Sequence, residues 1–412
     1  MKIKILPLLL FLILATARPA FCEDSLRDYL GLHGNSERTK SVLLQSIRKQ
    51  WDEFQNATGP MTIDGDVLAY WDGYSDTRIN GESKEGKDQG AVKARVRLNW
   101  QPFGNGAFFL QMQGGYSDTG SNPSSRGLVA SPLNGQASRT TAGGQVSISD
   151  LLYTQHFGNK QAYISLGWTD PESFIDENRF AGNGRTQFVN TIFNNEPIFD
   201  SIDESLPIVA AGLQPVEPLR VTIFAQSTRR SALDRDQQKE AFEDMTDDPL
   251  IGGQVTYAPS FGALQGNYRF FFWTNTYEQP RLDNSEGAEN WGLGFNMDQD
   301  ITKEFGIFAR LGRGNGAVNS VTWTWSAGTH WQGPLPGRSE DVWGVAAGGL
   351  QGNRHTSDND MEFHYESYYE IKLADNFSII PDITYVTNSN CNSENDDIVF
   401  GMLKFFFTFS TP

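Results

Sequence analysis

From residue 61 onward, apolar and polar residues alternate with a period of two. Side chains of a β-strand point to opposite faces in turn, so each such run is a two-faced strand. Over residues 91–100, Val92, Ala94, Val96, Leu98 and Trp100 share one face, and Lys93, Arg95, Arg97 and Asn99 share the other. Residues 219–226 set Leu219, Val221, Ile223 and Ala225 against Arg220, Thr222 and Gln226. Residues 305–311 set Phe305, Ile307, Ala309 and Leu311 against Gly306, Phe308 and Arg310. In 361–373, Met361, Phe363, Tyr365, Tyr369, Ile371 and Leu373 oppose Glu362, His364, Glu366, Glu370 and Lys372. The final run places Val399, Gly401, Leu403, Phe405, Phe407 and Phe409 on one parity, and Met402, Lys404, Phe406 and Thr408 on the other.

Strand centres fall near Ile63, Val92, Phe108, Ile148, Ile164, Val209, Val221, Val255, Tyr268, Leu293, Ile307, Trp323, Val345, Phe363, Ile379 and Phe400. That is about sixteen, an even number, as single-chain bacterial outer-membrane barrels require. Each strand with its connection receives about 22 residues, of which a tilted membrane strand uses ~9–11. The expected fold is therefore all-β: a transmembrane antiparallel β-barrel of about 16 strands. Tight turns are expected at Gly158-Asn159-Lys160, Pro259-Ser260-Phe261-Gly262 and Ala374-Asp375-Asn376, and long polar connections over 118–144, 170–207, 228–249 and 278–290. Loops of ~30 residues are foreign to a compact soluble domain but ordinary outside a barrel. Trp71, Trp100, Trp168, Trp273, Trp291, Trp331 and Trp343 lie near strand ends, where aromatic belts meet the two membrane surfaces.

One stretch keeps a different period. Leu43, Ile47, Trp51 and Phe54 recur at helical spacing over 36–54, and Thr58-Gly59-Pro60 ends the pattern. This is an N-terminal amphipathic helix whose apolar face needs a partner. Before it, Lys2 and Lys4 precede the apolar run 5–17, an export signal too short to span a bilayer. Ala20-Phe21-Cys22 offers a cleavage site before Glu23, with Ala15-Thr16-Ala17 as a second candidate; bulky Phe21 argues against a lipoprotein site at Cys22. The expected organisation is a signal peptide over 1–22, a helical segment over 23–60 and a barrel over 61–412. No other long apolar stretch occurs and the mean hydropathy is −0.44, so helical membrane spans are not expected.

Composition narrows the function. The net charge is −17, and removing residues 1–22 deletes three basic residues and no acid, which argues against nucleic acid as a partner. The 2 cysteines become one after cleavage, so no intrachain disulfide is expected. H-E-x-x-H, G-x-S-x-G and P-loop motifs are absent, and the 5 histidines are scattered. Neither an enzyme, a metal centre nor a cofactor is expected. Acids are abundant enough that a carboxylate pair for glycoside hydrolysis, in a secreted soluble sugar-binding or sugar-hydrolysing β protein, stays open as an alternative. Asp358-Asn359-Asp360 and Asp396-Asp397 are oxygen-rich loop clusters of the kind that can hold Ca²⁺.

Three stretches resemble the carbohydrate-selective outer-membrane porins of the OprB type. They are L-Y-T-Q-H-F-G-N-K-Q-A-Y-I-S-L-G-W-T-D-P-E-S-F-I-D-E-N-R-F-A-G-N-G-R-T-Q-F (152–188), D-Q-D-I-T-K-E-F-G-I-F-A-R-L-G (298–312) and E-S-Y-Y-E-I-K-L-A-D-N-F-S-I-I-P-D-I-T-Y-V-T-N (366–388). The resemblance spans nearly the whole mature chain and includes a counterpart of the helix. It implies a sixteen-stranded barrel in the bacterial outer membrane, passing small sugars without a cofactor. Implied partners are outer-membrane lipid and the barrel-assembly machinery, with a monomer or a trimer both open. A general or acid-solute porin of the same class is the second reading. Two features depart from the family pattern: Ser410-Thr411-Pro412 follow the last aromatic, and the acidic stretch 234–248 has no counterpart.

Strand parity turns Lys93, Arg95, Arg97, Arg220, Arg269 and Arg310 toward a lumen, with Glu362, Glu366, Glu370 and Asp382 opposite. Arginine suits such a wall, because its planar fork presents fixed donors and stays charged. Aromatic side chains would complete the path by stacking on sugar rings. The segment 170–188, with Phe174, Asp176, Asn178, Arg179 and Arg185, is the expected inward constriction.

Overall fold

The structure, a computed structural model, describes residues 49, 52–117, 128, 133–137, 145–200, 205–228, 245–358 and 360–411. Most of the helix expected over 36–54 and the segment 1–22 lie outside these residues. Residues 52–58 are helical, so the helix runs past Phe54 to Thr58. Gly59 then takes φ +89°, and its N–H donates to the Gln55 carbonyl at 2.8 Å. A Cβ at Gly59 would stand 2.3 Å from the Gln101 carbonyl oxygen, so this left-handed stop is glycine's by sterics as well as by φ.

Sixteen long strands follow: β1 Met61–Tyr74, β2 Lys87–Phe103, β3 Gly106–Ser117, β4 Gln145–Phe157, β5 Ala162–Thr169, β6 Leu206–Val216, β7 Leu219–Gln226 and β8 Leu250–Tyr257. The second half comprises β9 Leu264–Gln279, β10 Ala288–Asp300, β11 Phe305–Gly314, β12 Val321–Gln332, β13 Val342–Gly352, β14 Met361–Ala374, β15 Phe377–Thr387 and β16 Ile398–Ser410. Each predicted centre falls in its own strand. All neighbours are antiparallel and sequential, and β1 bonds β2 on one side and β16 on the other. At the seam Asp64 stands opposite Ser410 and Tyr74 opposite Phe400. Closure leaves no edge, which is how a sheet satisfies its backbone in lipid.

Connections alternate in length. At the end where β1 begins they are short: residues 104–105, 158–161, 217–218 and 375–376 are examples. At the other end lie the long ones, 118–144, 170–205 and 227–249. The connection expected over 278–290 is reduced to 280–287, because β9 extends to Gln279 and β10 begins at Ala288. The connection 75–86 carries a small hairpin, Thr77–Ile79 with Glu82–Lys84. It bridges to residues 388–397: the Arg78 N–H donates to Asp396 Oδ2 at 2.8 Å, the Asp396 N–H to the Arg78 carbonyl at 3.1 Å, and the Asn80 N–H to Asn395 Oδ1 at 2.8 Å. The hairpin thus clasps the outer end of the β1–β16 seam. Cys391, under this clasp, is buried and unpaired.

The two faces differ as the period predicts. Ile148, Leu166, Ile223, Phe270, Phe272 and Ile383 are exposed on the outside. Trp71, Trp291, Trp331 and Trp343 also face outward, Trp331 stacked on Trp343 with centroids 6.1 Å apart. Trp273 corrects the belt assignment: it is 0% exposed and points inward, where Phe199 packs edge-on at 5.7 Å. Asp150 marks a bulge, with Gln111 opposite Asp150 and Met112 opposite Ile148, so Ser149 and Asp150 both turn inside.

Replacing outward Ile223, midway along β7, by arginine is expected to destabilise the lipid-reconstituted barrel by about 2–4 kcal/mol in a urea titration. Gln214→Arg, on an inward position of β6, is expected to leave the midpoint nearly unchanged.

Candidate functional site: a loop folded across the lumen

The connection between β5 and β6 turns into the barrel. Its first turn is set by Asp170, whose side chain accepts from the Glu172 N–H, with Pro171 at the first helical position. The loop then crosses the lumen and packs on strands from both halves of the sheet. Its centre is apolar. Phe188, Val189, Ile192 and Phe193 are buried against Leu68, Phe308, Tyr368 and Ile380. Phe188 meets Tyr368 edge-on at 4.8 Å and Phe308 at 5.6 Å. Burying each such side chain is worth about 1.5–3 kcal/mol. Ile175 and Phe199 anchor the loop's two ends on Ile208, Phe224, Leu250 and Trp273.

Arg310, on β11, gathers the passes of this loop. Its Nε donates to Asp176 Oδ1 and Oδ2 at 3.0 and 3.2 Å, and its Nη1 to the Phe193 carbonyl at 2.6 Å. Its Nη2 donates to the carbonyls of Ala181 at 2.8 Å, Asn194 at 3.0 Å and Asp176 at 3.3 Å. Arg310 is 1% exposed. Asp176 adopts φ +60°, a left-handed conformation that a non-glycine residue keeps only when its surroundings fix it. Those surroundings are Arg310, the Gln254 side-chain oxygen on its N–H at 2.9 Å, and the Glu196 N–H on Oδ2 at 2.8 Å.

Other ties run along the loop. Asn178 donates to Asn296 Oδ1 at 2.8 Å. Arg179 pairs with Asp298 and, at 3.1 Å, with Asp300, and its guanidinium lies 4.8 Å from the Phe180 ring. Phe180 stacks on His330 at 4.8 Å. It fits because β11 has glycine at 306: a Cβ there would come within 2.3 Å of the ring. Arg185 pairs with Asp66 of β1. The N–H groups of Val189 and Asn190 both donate to Glu366, and the Asn190 side chain contacts His364 Nδ1 at 2.7 Å. His364 Nε2 in turn meets Glu362 at 2.8 Å. Lys404 Nζ donates to the Gln187 carbonyl at 2.6 Å and to Asp382 at 3.2 Å.

The fifteen sequence-predicted residues therefore divide by place. Arg269, Arg310, Glu362, Glu366 and Asp382 face inward but are buried: Arg310, Glu366 and Asp382 lie against the loop, Glu362 accepts from the Asn390 N–H at 2.6 Å, and Arg269 spends its charge on Asp298 at 2.7 Å. Glu370 accepts from Ser378 at 2.6 Å. Phe174 packs against the apolar cluster at the loop's root. Asp176, Asn178, Arg179 and Arg185 bind the loop to the wall. Arg220 is exposed beside Glu177, Gln214 and Thr256, in a cavity of ≈ 570 Å³ toward the short-turn end. Lys93 and Arg95 lie on the wall facing the loop's free edge, and Arg97 sits on the same wall nearer the short-turn end, in a recess with Asp64, Asn376 and Ser410. Arg95 donates to Asp66 at 2.8 Å, Arg97 pairs with Asp64, and Lys93 Nζ donates to the Gln136 carbonyl at 2.7 Å.

That last bond exposes residues the period could not reveal. A piece of the connection 118–144 also folds inward: Leu133 is buried in the lumenal cluster, and the Gly135 N–H donates to the Val189 carbonyl at 3.0 Å. Between the two loops and the wall lies a polar cleft of ≈ 240 Å³. Lys93, Arg95 and Gln113 line it from the wall, and Gln136, Asn183, Arg185, Asn194 and Asn195 from the loops. Loop asparagines carry no period. The one available signal was Asp64-Gly65-Asp66, whose two acids share the parity that faces Arg95 and Arg97 across the β1–β2 ladder. Among the described residues no group of three or more His, Cys, Asp or Glu side chains could hold a metal. Asp360, Asp396 and Asp397, candidates for Ca²⁺, instead accept from the Ser393 N–H, the Arg78 N–H and the Tyr385 hydroxyl.

The profile of a protein family described as carbohydrate-selective porin, OprB family, matches residues 118–409. Among solved structures, the high-pH structure of Pseudomonas putida OprB superposes with a TM-score of 0.71, at 14% identity, over 87% of this chain and 96% of that one. The outer-membrane channel DcaP of Acinetobacter baumannii gives a TM-score of 0.53, at 11% identity, over 84% and 97%. These likenesses establish the fold. A Nostoc protein, uncharacterized protein alr4550, is 34% identical over 87 residues, which is 21% of this chain and 15% of that protein's length.

Two outcomes follow from the loop's ties. Arg310→Ala leaves Asp176 and four carbonyls without their donor, a loss of about 3–5 kcal/mol for a broken buried pair. Single-channel recordings are expected to show higher, noisier conductance than the parent. Glu196 supplies the second. Burial, and then the charge of Asp176, push its carboxyl up to about 8, while Thr324 donates to it. The docked loop then holds a proton that a released loop gives up near the ordinary glutamate value of 4.5. Docking is strongest below the lower value and weakens as pH rises through the upper one. Protection of the 170–200 amides, taken as exchange relative to the intrinsic rate at the same pH, is expected to be lower at pH 9 than at pH 6, and Glu196→Gln to remove most of that loss of protection.

Proposed function

The chain belongs to the OprB family of carbohydrate-selective porins, and from that premise we propose where the sugar passes: between the free edge of the inward loop and the β2–β3 wall. The protein is an outer-membrane channel for passive, carbohydrate-selective diffusion, and channel action needs no catalytic group. The observation that carries the route is the lateral cleft, bounded by Lys93, Arg95 and Gln113 on rigid strands and by carboxamides on the loop. On the opposite side the described part of the loop packs its apolar face on β1, β11, β14, β15 and β16.

A sugar must exchange water for hydrogen bonds and must leave again, so contacts have to be numerous and individually weak. Arg95 and Arg97 suit this. Asp66 and Asp64 hold their guanidinium groups in place, so little rotamer freedom is lost on contact, and the side chains remain 22% and 30% exposed. Among the described residues the lining of this cleft offers hydrogen-bond donors and acceptors from charged side chains and carboxamides. Arg220, with Gln214 and Thr256, forms the wider vestibule at the short-turn end.

The remaining organisation is proposed on the same footing: a signal peptide over 1–22, a helical segment over 23–60 and a barrel over 61–412, inserted in lipid by the barrel-assembly machinery, with monomer and trimer both open. Liposome swelling with sugars of graded size, against organic acids, tests the reading; exclusion of all sugars at rates that pass ions would overturn it. In the same assay, Arg95→Ala with Arg97→Ala is expected to change the sugar-to-acid rate ratio by about tenfold or more, the worth of one hydrogen bond to a charged group. An unchanged ratio would remove these residues from the path.

A further inference from the structure

Tyr163 of β5 shares the inward parity of Ser165 and Thr169. Across the ladder from it, on β6, stands Gly212. A Cβ there would come within 2.1, 2.5 and 2.8 Å of three consecutive atoms of the Tyr163 ring, so the ring lies flat over the glycine. The ring spans β6, and its hydroxyl stands 3.4 Å from Thr222 Oγ1 on β7. His156 of β4 flanks it, with centroids 6.2 Å apart.

The same device recurs on the inner wall. Phe224 lies on Gly252, Phe271 on Gly294, Trp273 on Gly292, Phe308 on Gly328 and Tyr368 on Gly344. Those rings are at most 4% exposed, because the inward loop packs into their clusters. Tyr163 is laid down in the same way but is only half-buried. A ring held flat by the wall and left partly open presents its π-face to the lumen.

The vestibule of ≈ 570 Å³ begins one inward position nearer the short-turn end. Its lining residues Gln214 and Arg220 each lie two places along their strands from Gly212 and Thr222. Glu177 reaches the same cavity from the loop. Arg220 and Glu177 both act electrostatically on the Tyr163 hydroxyl, which ties the ring to this cavity. Among the described residues, the side chains of Glu177, Gln214 and Arg220 have no hydrogen-bond or ion-pair partner. A donor, an acceptor and a carboxamide that is both therefore stand unused beside an open aromatic face.

We propose that this vestibule is a second sugar subsite, in series with the lateral cleft, that takes a neutral pyranose: its apolar face stacks on Tyr163 while its hydroxyls accept from Arg220 and donate to Glu177. The inference rests on the porin reading and deepens it by adding a site and a ring-recognising residue. A pyranose carries C–H groups on its faces and hydroxyls around its rim, and the vestibule offers the complement of both. An open-chain polyol has the hydroxyls but no fixed face. Contacts this open to water are individually weak, as release requires.

The test is block of ion current through the full-length protein in planar bilayers, with D-glucose and its open-chain alcohol D-glucitol as probes. Glucose is expected to half-block at the lower concentration. Tyr163→Leu keeps apolar bulk and removes the π-face. It is expected to raise the half-blocking concentration of glucose roughly twofold to tenfold, the range of one aromatic contact, and to leave that of glucitol little changed. Tyr163→Phe keeps the face and is expected to match the parent. Should Tyr163→Leu not assemble, Arg220→Ala, at an exposed position, is expected to raise the glucose value at least about twofold. Passage of glucose by the parent without block, an unchanged glucose value in the variant that assembles, or equal loss of both probes in Tyr163→Leu would overturn the inference and leave the sugar-porin reading standing. Failure of glucose to block or cross the parent, with ions still passing, would overturn the porin reading and this inference with it.

Discussion

The contact on which the interior depends is Arg310 with Asp176. A barrel of sixteen strands encloses more space than its own side chains fill. Its selectivity then depends on whatever crosses that space, and here that is a loop with no ladder hydrogen bonds of its own. Arg310 supplies what the loop lacks. One rigid guanidinium on β11 fixes Asp176 at one end of the crossing and collects the carbonyls of Ala181, Phe193 and Asn194 from farther along it. A lysine could satisfy fewer of those acceptors, because it is a point donor rather than a planar fork. A buried charge pair of this kind is a poor source of net stability, but it is costly to leave half-made. It therefore acts chiefly to specify one loop conformation out of many.

The crossing divides the lumen into unlike halves. On the side of β11, β14, β16 and β1 the interior is a packed apolar core: Phe308, Tyr368, Phe400, Met402 and Phe406 meet Phe188, Ile192 and Phe193 of the loop. The charges on that side are all engaged: Lys404 and Glu366 bind the loop backbone, Asp382 pairs with Lys404, and Glu362 meets His364. On the side of β2 and β3 the wall keeps partly exposed arginines, each held by an aspartate of β1. The polar cleft is thus lateral rather than axial, and its lining comes from two strands and two loop edges.

Much of this was legible in the chain and some was not, for physical reasons. Alternation reports which face of a strand a residue occupies, so all sixteen strand centres and the inward parity of Arg95, Arg97, Arg269 and Arg310 could be read directly. Alternation does not report what an inward residue meets. Arg95 and Arg310 carry the same sequence signature, yet one borders a polar cleft and the other lies under a loop. The last strand held a hint. Phe400, Met402 and Phe406 make its inward face apolar too, which a water-filled lumen would not favour, and which the packed loop explains. Trp273 was misplaced on the same ground, since an inward tryptophan needs an interior partner and Phe199 lies in a loop without period. Asn194, Gln136 and Glu196 were invisible because a loop's chemistry is set by where it folds.

The central claim is that the interior is partitioned, with one side sealed and one side open. Cysteine scanning in the reconstituted channel addresses it most directly, because the native Cys391 is buried and free. A membrane-impermeant charged thiol reagent is predicted to reduce the current at once through Gln113→Cys, on the cleft wall, and to leave Ile380→Cys, buried against the loop, untouched. Equal modification at both positions would mean that the loop does not divide the lumen, and the account would be wrong.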